Sequence, residues 1–239
     1  MYSTKLICVS ALALALAPLT TLAASDKDKQ DERMEQATAV FSEVMATPDS
    51  AIPRELLEKS ECIVVVPGVK KAAFVFGAKF GTGYLFCRRN GGTGWSAPGT
   101  VRMEGGSFGF QIGASETDVV MLVMNHSGRN HLLSSQFTLG GDASIAAGPI
   151  GRTSSAETDA QMSAEILSWS RSKGLFAGIS LTGATLRQEM DDNAALYGRR
   201  LDNKEIVKDG AIHGPASSKR LLGLLNEYSD TREHKNDNN

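Results

Sequence analysis

The chain has 239 residues, of which 25 are basic and 27 acidic, so its net charge is −2. That balance lacks the basic excess of a nucleic-acid-binding surface, and no basic strand is studded with aromatics, so nucleic acid is not an expected partner. A hydrophobic share of 41% over this length supports one sizeable core.

Residues 1–23 begin with Lys5, continue through the apolar run Leu6–Leu19, and end on Thr21-Leu22-Ala23. This is the pattern of a secretory signal peptide, and the charged segment SDKDKQDER follows at once. Cys8 stands at the start of the apolar run, whereas a lipoprotein cysteine would follow it. The expected setting is therefore export, to a periplasm or to the periphery of an envelope membrane.

Asp26–Ala46 places Met34, Ala37, Phe41, Val44 and Met45 at helical spacing, opposite Asp31, Glu32, Arg33, Glu35 and Glu43. Two readings of this amphipathic helix stand open. Its apolar stripe packs on the fold, or it lies at a headgroup boundary, although its polar face is acidic rather than lysine-rich. PRELLEK at 53–59 reads as a short helix with proline in its first turn.

From Cys62 the pattern turns to strand. CIVVVP, AAFVFG and TGYLFCRR are short apolar runs separated by proline and glycine. Ser107–Gly113 alternates large and small residues, and Thr117–Met124 is a β-branched apolar run suited to a central strand. Asn125–Ser135 reads as a turn with a short helix. Ala143–Ala147, Glu165–Ser170 and Leu175–Leu181 read as strands. Arg187–Tyr197, Lys204–Lys208 and Pro215–Tyr228 read as helices, the first two stopped by Gly198 and Gly210. The expected fold is one α+β domain with a glycine-rich, mostly antiparallel β-sheet and helices at both ends. The expected division is a signal peptide over 1–23, an N-terminal amphipathic helix over 24–47, the domain over 48–229 and a disordered tail over 230–239.

Cys62 and Cys87 remain after export, each in an apolar strand-like run. A disulfide and two buried thiols are both open readings. His126, His131, His213 and His234 lie in polar or turn-like contexts and there is no C-x-x-C, so no metal site and no cofactor are expected. Gly105-Gly106-Ser107-Phe108-Gly109 fits the letters of a hydrolase nucleophile elbow. That device requires a strand, a tight turn and then a helix, whereas FQIGASETDVVMLV continues in extended style. A hydrolase using Ser107 ranks behind the binding readings, and Asp191-Asp192 reads as a capping or solvated pair.

Three stretches carry a resemblance: GWSAP at 94–98, DASIAAGPIGR at 142–152 and SWSRSKGLFAGISLTG at 168–183. In this order they resemble the SYLF domain, a family of bacterial secreted proteins and eukaryotic membrane-trafficking and actin-patch proteins. The resemblance runs from about Ile52 to Tyr228. It implies lipid binding, directed to phosphoinositides in eukaryotic members, some of which also bind actin. For an exported chain it implies an ordinary anionic phospholipid instead. Most matching positions, such as Trp95, Pro98, Gly148, Asn193 and Tyr197, are of types that build folds. Arg152, Arg171 and Lys173 are the matching residues suited to touch a ligand. Arg171 and Lys173 are two apart and would project to one side of a strand. Lys70 and Lys71 beside a first hairpin, Lys79 in a glycine turn, and Arg88 and Arg89 at a strand end complete a candidate basic face. The expected function is non-enzymatic, with phospholipid or a membrane surface as partner. The alternative is a module that binds another envelope protein.

Overall fold

The computed structural model describes residues 25–46, 52–74, 76–89, 94–108, 113–149, 163–172, 175–176, 181–208 and 212–229. The expected signal peptide and tail, and the candidate residues Arg152 and Lys173, lie outside them.

In chain order the elements are α1 (Asp26–Ala46), α2 (Arg54–Lys59), β1 (Cys62–Phe74), β2 (Phe76–Cys87), β3 (Gly99–Phe108), β4 (Gly113–Val123), α3 (His126–Leu132), β5 (Gln136–Thr138), β6 (Ile145–Ala147), β7 (Ile166–Ser172), β8 (Leu175–Phe176), β9 (Thr185–Gln188), α4 (Met190–Tyr197), α5 (Asn203–Val207) and α6 (Lys219–Ser229). They form one nine-stranded sheet in the order β5-β9-β3-β2-β1-β4-β7-β6, with β8 paired to β7. Every pairing is antiparallel except β6 with β7. The α+β expectation holds.

Strand alternation gives this sheet two apolar faces. Ile63, Val65, Tyr84, Phe86, Val120, Leu122 and Trp169 lie under the helices and are buried with Met34, Phe41, Leu57, Leu221 and Leu225. Val64, Val66, Val69, Met103, Val119 and Met121 face the other way and are buried in a second core with Leu139, Leu181 and Leu186. The apolar stripe of α1 is therefore an internal surface. Met34, Ala37 and Phe41 are fully buried against the sheet, which decides between the two readings of this helix in favour of packing.

Three differences from the sequence reading have local causes. Pro67 does not end a strand. Proline and glycine form a β-bulge within β1, and the register shifts between Val65 and Lys70 against β2 and between Val66 and Val69 against β4. Gly68 there has φ 57° and gives its N–H to Asp118 Oδ1 at 3.0 Å. Arg187 and Gln188 belong to strand β9, and the helix read from Arg187 begins at Met190. Lys79 lies within β2, not in a turn. Cys62 and Cys87 face each other in register and are joined by a disulfide.

Candidate functional site

The bulge determines what the far half of the β1–β2 ladder presents. Val66 and Val69 both face the second core, so the extra residue returns Lys70 to the helix side and sends Lys71 to the other. Across the sheet one rung reads Glu116, Lys70, Phe80, Glu104, and the next reads Ser115, Lys71, Lys79, Gly105. Phe80 is 54% exposed and is the exposed large hydrophobic residue among those described. Burial, then the charge of neighbouring Lys71, holds the Lys79 ammonium below the ordinary lysine range.

A cleft of about 630 Å³ opens between α1 and this end of the sheet. Arg33 and Gln36 of α1 form one wall, while Lys70, Phe80 and Thr82 contribute from the sheet. Several of its charges are already paired. Arg33 meets Asp192 at 2.8 Å. Arg102 and Arg187 share Glu104 and Glu189 at 3.1–3.5 Å. Lys70 and Glu116 are exposed and make no ion pair within 4.0 Å among the described residues. The Glu116 carboxylate lies against Gly68, where an added Cβ would stand 2.5 Å from Oε1.

The remaining described cations of the expected basic face are elsewhere. Arg171 is an internal clamp. It pairs with Asp118 at 3.1 Å and with Glu43 of α1, and Asp118 in turn holds the bulge. Burial opposes its charge, but the hydrogen bonds and charges of Glu43 and Asp118 outweigh it and hold the guanidinium pKa above its ordinary value. Arg88 is 3% exposed. Its guanidinium lies 3.9 Å over the Trp95 ring and donates to Leu57 O at 3.0 Å. Arg89 is exposed, but ten residues of chain separate it from Lys79, about 33 Å at ~3.3 Å per residue. The described cations of that expected face thus divide into a lysine group at Lys70, Lys71 and Lys79, the buried Arg88, the part-buried Arg171 and the distant Arg89. They do not converge on one face.

The sequence motifs mostly build the interior. Trp95 Nε1 donates to Ser229 Oγ at 3.1 Å, Ser96 Oγ accepts from Cys87 N at 3.0 Å, and Tyr197 OH donates to Pro98 O at 2.6 Å. Burial pushes the Tyr197 phenol up, as it does that of Tyr84, whose OH donates to Gln30 O at 2.7 Å. Asn193 is fully buried. Its Oδ1 accepts from Thr100 N at 2.9 Å, and its Nδ2 donates to Leu201 O at 2.9 Å and Asn203 Oδ1 at 3.0 Å. Neighbouring Asp192 and Asp191 pair with Arg33 and Arg200. Sequence reasoning missed the cleft and this amide network. The exposed Phe80 beside two lysine-bearing positions was the one local signal pointing to the cleft.

Ser107 stands in β3, paired with Gly77 of β2, and the next described residues after Phe108 are strand again from Gly113. Among the described residues no helix follows Ser107 before β4, where an elbow requires one. Among the described residues no group of three His, Cys, Asp or Glu side chains could hold a metal ion, and no helix is long and apolar enough to cross a membrane.

The described residues thus form a single sheet buried by helices on one side, with a charged cleft and a lysine-rich sheet end. Comparison with known proteins gives the family. Residues 104–228 match the Ysc84 family, described as "Las17-binding protein actin regulator", and the chain belongs to it. This is the SYLF family read from the three motifs. The chain is 31% identical over 218 residues to SH3 domain-containing YSC84-like protein 1 of Xenopus laevis, covering 90% of this chain and 64% of that protein. It is 36% identical over 178 residues to an SH3 domain-containing protein of Schizosaccharomyces pombe, covering 73% and 41%. It is 32% identical over 195 residues to protein YSC84 of Saccharomyces cerevisiae, covering 80% and 41%. The chain therefore spans between two fifths and two thirds of the length of these relatives.

Proposed function

We propose that this chain is a non-enzymatic lipid-binding protein, exported and peripheral to an envelope membrane, that meets anionic phospholipid with the far half of its β1–β2 ladder. The observation that carries this reading is the placement of Lys70, Lys71, Lys79 and the exposed Phe80 in two adjacent rungs. An end-on approach brings the lysines of both sheet faces beside the headgroups. Each lysine near an anionic surface contributes about 1 kcal/mol, and a half-exposed phenylalanine adds ~1–2 kcal/mol on burial. The sum describes weak, salt-sensitive, reversible contact. Export rests on the pattern of residues 1–23. Arg171 and Arg88 support the fold in this reading rather than touching lipid.

Flotation with vesicles tests it. At low salt the chain floats with phosphatidylglycerol vesicles and not with phosphatidylcholine ones, and Lys70→Glu/Lys71→Glu/Lys79→Glu loses about 100-fold in affinity while keeping the parent's melting profile. Equal flotation of parent and triple variant refutes the proposal.

A second reading has one observation in its favour. The family description names a protein partner, Las17, and a relative 32% identical over 180 residues is named LAS seventeen-binding protein 3. A protein-binding module would show saturable capture of an envelope protein with no vesicle flotation.

A further inference from the structure

The cleft between α1 and the sheet differs in kind from the lysine group beside it. Its lining carries Arg33, Lys70 and Arg102 against Glu104, Glu116 and Asp192, so the charges cancel. A ligand bearing only negative charge gains from the cations and loses to the carboxylates. A ligand bearing one charge of each sign can satisfy both.

The charges open to a ligand are specific ones. Arg33 is engaged by Asp192, and Arg102 by Glu104 and Glu189. Lys70 and Glu116 stand directly opposite each other on β1 and β4, both exposed. The Glu116 carboxylate reaches over Gly68, its Oε1 2.5 Å from where a Cβ would stand. Phe80 stands opposite Lys70 on β2 and offers an apolar surface on the same side of the sheet. A volume of about 630 Å³ falls in the range of small-ligand sites.

We infer that this cleft binds a phosphoethanolamine headgroup, with the phosphate at Lys70, the ammonium at Glu116 and the lipid's apolar part along Phe80. The inference rests on the lipid reading above and deepens it. A primary ammonium is favoured over choline because carboxylates reward N–H donors. A quaternary ammonium calls for an aromatic cage, and among the described residues Phe80 is the one aromatic side chain of the lining.

The test is calorimetric titration of the full chain with four probes, the lipids held below their aggregation concentrations. They are lysophosphatidylethanolamine, lysophosphatidylcholine, lysophosphatidylglycerol and glycerophosphoethanolamine. Lysophosphatidylethanolamine binds at least 10-fold tighter than the choline and glycerol lipids. Lys70→Met and Glu116→Gln each weaken it about 10-fold, while Lys204→Gln, exposed on α5 and outside the cleft lining, leaves it unchanged. Tighter binding of lysophosphatidylethanolamine than of glycerophosphoethanolamine supports a lipid, and equal affinity for both overturns the lipid part in favour of a soluble phosphoethanolamine ester. Equal or tighter binding of the glycerol or choline lipid, or no effect of Glu116→Gln, overturns the inference. Flotation on phosphatidylglycerol vesicles is read in parallel. If it persists when the cleft titrations fail, the cleft assignment falls and the membrane reading stands.

Discussion

Asn193→Ala is the sharpest probe of how the far sheet edge is held. The side chain is fully buried and joins α4 to β3 and α5. Alanine removes four contacts, those from Thr100 N and Thr100 Oγ1 and those to Leu201 O and Asn203 Oδ1; the Thr100 hydroxyl keeps Glu189 O as an acceptor, so three bonds are lost without replacement. A further link in the network, from Asn203 Nδ2 to Thr100 O at 3.0 Å, is left intact, so the strand and α5 stay in contact around the gap. The Thr100 amide and the Leu201 carbonyl lose their Asn193 partner inside the protein, where water does not replace it. At about 1 kcal/mol for each bond the loss is ~3 kcal/mol. For a domain of this size that lowers the melting temperature by about 6–12 °C. Urea titration followed by circular dichroism measures it, with Asp191→Ala as a surface control. Asp191 is 83% exposed and paired only with the 65% exposed Arg200, so it changes stability by less than about 0.5 kcal/mol. If Asn193→Ala costs no more than the control, the amide network does not carry the stability assigned to it.

Three further outcomes follow from other parts of the molecule. An added Cβ at Gly148 would stand 2.1 Å from the Trp169 ring, so Gly148→Ala displaces the indole from Pro149 O, destabilises by ~1–3 kcal/mol and shifts the tryptophan emission; an unchanged melt and spectrum contradict this contact. Cys62 and Cys87 close a loop with a sequence separation of 25, so the Cys62→Ala/Cys87→Ala pair lowers stability by about 3 kcal/mol in the chain-entropy account, as read by urea titration against the oxidised parent. The Lys79 pKa is depressed in the free protein, and anionic headgroups favour the charged form. Affinity for phosphatidylglycerol vesicles therefore falls as pH rises through that lowered pKa, before the ordinary lysine range, and Lys79→Gln removes this early step from the profile.

The elements with a clear pattern were legible. The stripe of α1 repeats at 3.6 residues and its buried positions follow that period, while the β-branched runs of β1 and β4 are apolar without interruption and send alternate residues to the two cores. β9 was not legible because TLRQ is a short, mostly polar edge-side strand, and Arg187 and Gln188 suit a helix start as well as a strand. Pro67 read as a terminator because proline cannot donate to a ladder. Only the facing strands show that the bulge absorbs it. Of the candidate site, Lys70 and Lys71 read as flanking a first hairpin and Lys79 as sitting in a glycine turn; their placement on facing strands, divided between two faces, depends on the one-residue shift at Gly68. Arg171 stood out in the sequence, yet its partners Glu43 and Asp118 are distant in the chain, so its role as a clamp was not readable. The same holds for Arg88, whose fate depends on Trp95 and Leu57. Asn193 and Asn203 follow no pattern that separates a buried amide from a solvated one.

Phe80→Trp offers the most direct measurement of membrane contact by this end of the sheet. Trp95 and Trp169 are 3% and 2% exposed, so the emission of the variant minus that of the parent reports position 80. On adding phosphatidylglycerol vesicles brominated in the acyl chain, the difference emission shifts to the blue and is quenched, and 0.5 M salt reverses both changes as screening weakens the lysine contacts. Difference emission that stays red and unquenched while the protein demonstrably floats with the vesicles would place the contact elsewhere and contradict the account.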